Sequence, residues 1–541
     1  MKRYFPMTVL ASAILAGCAS TSITSDDVEK AYQSINSAQL AEHIKVLASD
    51  EFGGRAPSSK GEELTLAYLT EQFKALGYQP GNGDSFLQEV PLVSLEADPN
   101  MVLTIGGIDY EYKKDMVMGS SRISAQQSIK DSELVFVGYG VNAPEYNWND
   151  YEGLDVEGKT VVMLVNDPGF ATKDPALFTG DAMTYYGRWT YKYEEASRQG
   201  AAGAIIIHET APASYPWSVV ENSWSGEQFG FQKENNNMDR VAVEGWVTTD
   251  VAKELFTKAG LDFDTMKANA AKGAYHVDMG DLTASVTVNN TIKKSISYNF
   301  IATLPGSEKP DEHVIYSAHW DHLGTDKTRK GDQIYNGAHD NATGTAGLIE
   351  VAEAFTSLPK HPSRSMTFLA VTAEEQGLLG SKYYAANPVI PAKNTVANIN
   401  MDSLNLLGKV KDISVVGIGK SEMDTLLETA AKAQDRTVSG DPKPSSGGYY
   451  RSDHFAFANM GVPAMYAGGG SVAFDEETAS YRKRMSLVLR GCYHQPCDRY
   501  RDEWDLSGAV QDLQLFYQVG FDISEREEWP KWNESSEFQR K

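Results

Sequence analysis

The residues best suited to chemistry begin with two adjacent acids. Glu374 and Glu375 stand in TAEEQGLLGS, directly after the apolar run MTFLAV. Paired carboxylates at the mouth of a buried strand are costly unless something neutralises them. Other polar residues occupy equivalent places. His319, Asp321 and His322 follow HVIYSA, Asp402 follows VANINM, and the run NGAHDNATG delivers Asp340 just before a helical stretch. In open α/β sheets ligands bind outside the carboxyl ends of the strands, so one sheet edge would collect at least three carboxylates and two imidazoles. Acids packed this closely raise one another's pKa, a cost that a divalent cation removes. Mixed His and carboxylate donors suit zinc. Two cations roughly 3.5–4 Å apart can share one bridging carboxylate, each taking one His and one further acid, with one Glu left over as a base.

The elements that must position these residues are legible from pattern. From 298 onward the apolar runs FIATLPG, HVIYSAH, SMTFLAVTAEE, TVANINMD and VPAMYAGGG alternate with helical stretches such as 343–358 and 421–434. Continuous apolar strands between helices predict an α/β fold, with a mixed, largely parallel central sheet covered by helices on both faces. Between 131 and 290 the texture changes to short β-rich runs split by Gly, Asn and Pro, with a helix ending at Gly200, as expected of a small separate domain. The expected organisation is a leader over 1–18, an N-terminal part of the catalytic domain over 19–130, an inserted domain over 131–290 and the main catalytic part over 291–541.

The chain has 541 residues, which suits two domains. Its formal net charge of −24 argues against nucleic acid as a partner, because a phosphate backbone selects clustered Lys and Arg. Lys2 and Arg3, the apolar run FPMTVLASAIL and then LAGC resemble a bacterial lipoprotein signal, with Cys18 as the lipidated residue. The expectation is an exported chain facing the periplasm, anchored through lipid at Cys18. Ala19 in place of an Asp points to the outer rather than the inner membrane. Cys492 and Cys497 are the remaining cysteines, five positions apart, and an oxidising compartment favours a small-loop disulfide between them, with metal ligation as the alternative.

SAHWDHLG, NGAHDNATG, TAEEQGLLGS, NINMDS and YHQPCDRY occur in that order. Together they resemble the di-zinc aminopeptidases that share the zinc exopeptidase fold with glutamate carboxypeptidase and the transferrin receptor. VFVGYGV, GKTVVMLVND and EEASRQGAAGAIII resemble the protease-associated domain that many members carry as an insertion. The resemblance implies two zinc ions per chain. His319 and Asp402 would hold one, Glu375 and His494 the other, and Asp340 would bridge them. It implies Asp321 as the group orienting His319, which leaves His322 a structural or supporting role, and Glu374 as the general base. Tyr493 is a candidate for contacting the attacked carbonyl. Tyr450, Ser452, Asp453 and His454, in YYRSDHFAF, are candidates for lining the cleft. The implied activity is removal of N-terminal residues from peptides. The alternatives are a carboxypeptidase or dipeptidase on the same scaffold, a relative of the single-zinc glutaminyl cyclases, and a non-catalytic receptor-like binding protein. The side-chain preference and the oligomeric state stay open.

Overall fold

The computed structural model describes residues 22–327, 329–534 and 536–540. The leader and the Cys18 lipidation expectation lie outside these residues.

A central sheet carries the polar residues. Its middle is four parallel strands in the order Arg364–Val371, Lys309–His319, Thr395–Asn400 and Ala464–Gly469. Antiparallel strands extend it on both sides: the far half of Val277–Leu304 and then Leu87–Ala97 on one, Asp412–Val415 on the other. Side chains alternate between the two faces of a strand. Val314, Tyr316, Phe368 and Ala370 join the core under Thr343–Thr356 and Ser507–Glu525. Their neighbours Ile315, Leu369 and Val371 join the opposite core with Tyr384 and Phe457. Both faces are thus apolar and helix-covered, so every residue of Arg364–Val371 is buried. This is the mixed α/β architecture anticipated from the unbroken apolar runs.

A second sheet has its own core. The strands Gln126–Phe136, Thr160–Leu164, Gly203–His208 and Val243–Thr248 run parallel, flanked by Met116–Gly119 on one side and by the near half of Val277–Leu304, then Val102–Ile105, on the other. Leu103, Phe136, Ile205, Val247 and Phe256 are among its buried residues. The 28-residue strand Val277–Leu304 pairs with both sheets and ties them together. The boundary expected at 131 falls inside Gln126–Phe136, and the one at 290 inside this long strand. Strands from 102 to 119 also pair within the second sheet.

Candidate metal centre

Each site residue sits where a strand ends or a helix begins. His319 closes Lys309–His319, and its backbone carbonyl accepts the Thr345 hydroxyl at 2.9 Å. Asp340 lies in the irregular turn Ala338–Ala342 ahead of the helix Thr343–Thr356. Asp402 follows Thr395–Asn400. Ala373, Ser403 and His494 all take the left-handed conformation, with φ of 51°, 60° and 54°. This conformation is uncommon for residues with a side chain and is held only where the surroundings over-determine it. Here it turns the chain at Glu374, at Asp402 and at His494 itself.

The ligand atoms converge. His319 Nε2 lies 3.3 Å from an Asp340 oxygen and 3.6 Å from an Asp402 oxygen. His494 Nε2 lies 3.2 Å from the other Asp340 oxygen and 3.0 Å from Glu375 Oε2. Asp340 therefore presents one oxygen to each histidine. A zinc ion with bonds of about 2.0–2.1 Å separates its tetrahedral ligand atoms by roughly 3.3 Å, which these spacings match. His494 Nε2 has no hydrogen-bond partner despite its two nearby carboxylate oxygens, so its lone pair is placed for a cation between them. Two closely spaced clusters result, one of His319, Asp340 and Asp402 and one of His322, Asp340 and Glu375, with His494 Nε2 beside the second, consistent with a di-zinc site.

The electrostatics agree. Burial opposes charge on His319 and His494, but the surrounding carboxylates outweigh it and lift both imidazoles well above their ordinary range. Burial likewise opposes ionisation of Asp340, and His319 and His494 outweigh it, so Asp340 stays ionised. Glu375 is pressed upward by burial and by Asp340, but His494 and His322 bring it down to about 2. Glu374 goes the other way: burial, reinforced by Glu375, Asp453 and Asp402, raises it well above the usual carboxylate range. The adjacent glutamates thus differ in proton affinity, as metal binding and proton transfer require of them.

A supporting layer holds these atoms. Asp321 accepts the Glu374 backbone N–H at 3.0 Å, and its carboxylate lies 3.8 Å from His319 Nδ1. His322 is not merely packed: its Nδ1 is 2.6 Å from Glu375 Oε1, so it holds the oxygen that His494 does not face. Ser452 donates its hydroxyl to Asp402 at 2.6 Å and accepts from Asn400 at 2.8 Å. Asn341 joins two loops, its side-chain oxygen accepting the N–H groups of Gly344 and Ser403 at 2.8 and 3.1 Å. Arg55, fully buried, donates to the carbonyls of Trp320, Asn336 and Gly337 at 2.6–2.9 Å and so anchors both the His319 and the Asp340 loops. A disulfide joins Cys492 to Cys497 and closes the short loop that carries Tyr493 and His494.

Of the cleft candidates, Tyr493 is 60 % exposed and stacks on His494 with ring centres 3.8 Å apart. Tyr450 is buried against Tyr185 of the second sheet's domain. His454 does not line the cleft. It is fully buried between Tyr449 and Tyr466, with neither ring nitrogen bonded. Asp453 is also fully buried, and burial raises its carboxyl to about 6. Sequence reasoning missed Tyr466, whose phenol is pushed well above its ordinary range by burial and then by the Asp402, Asp340 and Glu374 carboxylates. Its place near the end of the apolar run VPAMYAGGG was the available signal.

A mixed α/β fold with carboxylates and imidazoles gathered at the strand ends defines a metallopeptidase-type site. Residues 299–518, which contain all six residues from His319 to His494 discussed as ligands or base, match Peptidase family M28. An aminopeptidase of Pseudomonas aeruginosa is 23% identical over 489 residues, 86% of this chain and 76% of its own. Leupeptin-inactivating enzyme 1 of Streptomyces exfoliatus is 26% identical over 243 residues, 44% of this chain and half of that enzyme's length. The solved aminopeptidase from Aneurinibacillus sp. strain AM-1 covers 93% of this chain and 97% of its own, with a TM-score of 0.55 and 20% identity. The chain therefore has the fold of that aminopeptidase, and its residues 299–518 resemble Peptidase family M28.

Proposed function

We propose that the protein is a zinc-dependent aminopeptidase that hydrolyses N-terminal residues from peptides. The observation that carries this reading is the Asp340 carboxylate presenting one oxygen to His319 and the other to His494, with Asp402 and Glu375 completing the two clusters. His319, Asp402 and Asp340 would hold one zinc ion and Asp340, Glu375 and His494 a second, and the metal would supply Lewis-acid chemistry there. The chain's own residues do the rest. Glu374 stands beside the clusters, 4.0 Å from His319 Nε2, with a raised proton affinity, and serves as general base and then as general acid toward the leaving amine. Asp321 and Asp498 hold the loops that carry Glu374 and Asp340, and Ser452 orients Asp402. Tyr493, stacked on His494, is the candidate for contacting the attacked carbonyl.

The same reading assigns the second sheet to a protease-associated type of insertion, supported by its separate core. It places the protein outside the cytoplasm, lipid-anchored through Cys18 at the outer membrane. The leader pattern supports this, and so does the Cys492–Cys497 disulfide, since such bonds persist in oxidising compartments. No helix among the described residues is long and apolar enough to cross a membrane.

A panel of dipeptides and aminoacyl amides, each with free and acetylated amino ends, tests the activity with and without a chelator. Cleavage only of free-amine substrates, lost on chelation and restored by zinc, is expected. Equal cleavage of acetylated substrates would refute the aminopeptidase reading, and chelator-insensitive turnover would refute the zinc reading.

A further inference from the structure

Three helices wall an open cavity of about 470 Å³ that none of the metal-centre residues lines. They are Ser37–Leu47, the C-terminal end of Lys60–Ala75 and the middle of Thr343–Thr356. Its volume is that of a small-molecule site. Ala38, Ala75, Leu76 and Ile349 give it apolar surface.

The charges around it are negative. Glu353 lines the cavity, and its carboxylate takes only the Gln39 amide, at 3.0 and 3.3 Å. Three positions earlier on the same helix, Glu350 is 2 % exposed. Its Oε2 accepts the Asn36 N–H at 3.3 Å, and its Oε1 has no hydrogen-bond partner. Oε1 points to the cavity wall, where it stands 3.9 Å from Nε2 of the lining residue His43. Among the described residues no Lys or Arg pairs with Glu350 or Glu353. A third acid, Glu42, pairs with Lys45 at 2.9 Å through exposed side chains. His43 does not supply the missing charge, because burial holds its imidazole below its ordinary value against the pull of Glu353 and Glu42. Burial pushes the Glu350 carboxyl up to about 7, with the Asn36 N–H opposing and Glu353 reinforcing. The C-terminal end of Lys60–Ala75 adds the negative end of a helix dipole.

The gap between Glu350 Oε1 and His43 Nε2 is too long for a hydrogen bond. It suits a donor nitrogen about 2.8–3.0 Å from both atoms. His43 Nδ1 lies 2.7 Å from the Tyr68 hydroxyl. In the tautomer that donates from Nδ1, Nε2 is an acceptor, so both sides of the gap require a donor. A single metal ion does not match this arrangement. Among the described residues, the His and carboxylate groups close enough together to hold one are those of the metal centre. An alkylammonium has its donors on one nitrogen and an apolar stem that suits Ala38, Ala75, Leu76 and Ile349. Residues three apart on a helix are neighbours, about 5–6 Å apart at Cβ. A second ammonium on the same short stem therefore finds Glu353 beside Glu350.

We propose that this cavity is a binding site for a small aliphatic amine. Glu350 and His43 hold one ammonium and Glu353 a second, so short diamines bind best. The site is separate from the metal centre and does not depend on the peptidase reading.

Calorimetry on the zinc-loaded full chain with 1,4-diaminobutane, n-butylamine and 1-butanol tests it. One diamine per chain is expected, with n-butylamine about 10-fold weaker for want of one charge-assisted contact, and no binding of 1-butanol. Glu353→Gln should bring the diamine level with n-butylamine, and Glu350→Gln should weaken both amines by about 10–100-fold. Ala75→Trp, at an exposed position on the cavity wall, should abolish binding. Amines also coordinate zinc, and this variant separates the two sites because it fills the cavity and leaves the metal centre as it is. A diamine signal that survives Ala75→Trp would overturn the proposal, as would undiminished affinity in Glu353→Gln. So would the absence of binding by the unmutated chain up to about 10 mM diamine. Neither Glu353 nor Ala75 is a core residue, so these two variants decide the question even where Glu350→Gln fails to fold.

Discussion

The Asp498 carboxylate accepts the backbone N–H of Asp340 at 3.1 Å, across 158 residues of chain, and its other oxygen takes the N–H of His339 at 2.9 Å. The side chain proposed to bridge two cations is thus aimed by a second acid that binds no cation. Asp498→Ala leaves two backbone donors unpaired and frees the turn that carries Asp340. A 10–100-fold loss of zinc affinity is expected, from the usual cost of removing a supporting partner. Competition with a chromophoric chelator measures it, and unchanged affinity would show that the turn is held by other contacts.

Glu374→Gln keeps shape and hydrogen-bonding capacity but cannot carry the proton. Turnover should fall by about 10²–10⁴-fold or more while two zinc ions remain bound. Metal analysis alongside steady-state kinetics checks both halves. Rapid hydrolysis by this variant would remove Glu374 from the role assigned to it, and loss of metal would make it a ligand.

Gly337 has φ of +57°, and a Cβ there would stand 2.3 Å from the Asp340 carbonyl oxygen and 2.5 Å from the His322 ring. Gly337→Ala therefore carries the left-handed cost of about 1–2 kcal/mol and also displaces two site residues. Gly260 has a similar φ of +73° with open space around it, so Gly260→Ala carries the backbone cost alone. Both should lower the melting temperature, but only Gly337→Ala should weaken zinc binding. Equal zinc affinity in the two variants would contradict this.

His454, enclosed without a polar partner, is pushed by burial from its ordinary value to about 3. Its folded-state pKa lies below the unfolded one, so the unfolded chain binds the extra proton between about 3 and 6.5. The stability contribution is complete above about 6.5 and is lost as pH falls toward 3, by on the order of 2–4 kcal/mol. His454→Phe keeps the ring among Tyr449 and Tyr466 and removes the proton. Chelator-treated wild type and variant, unfolded by urea from pH 7.5 to 4, should diverge progressively as pH falls, with the variant the more acid-resistant. Parallel curves would mean that His454 finds a partner on protonation.

Much of the fold was legible because both faces of the central sheet are covered. An unbroken apolar run such as MTFLAV has no solvent side, and the polar residues after it mark where the strand ends. The edges of the second sheet were not legible. Val277–Leu304 passes between two sheets without a break in hydrogen bonding, so no turn residues announce the crossing at 290. His322 could not be distinguished from a packing residue in sequence, because its role depends on Glu375, 53 positions away. His454 read as a cleft residue because it adjoins Ser452 and Asp453, whereas its helix turns it into the core.

By itself the sequence determined the chemistry available. It set the number and kind of donors, their places after buried strands, and the adjacency of Glu374 and Glu375. These are properties of residue type and local spacing, which survive without knowledge of the fold. Tertiary structure alone decided which oxygen faces which imidazole, and that burial raises the proton affinity of Glu374 while His494 and His322 lower that of Glu375. Those outcomes depend on distance and desolvation between groups remote in the chain, and only the folded packing sets either.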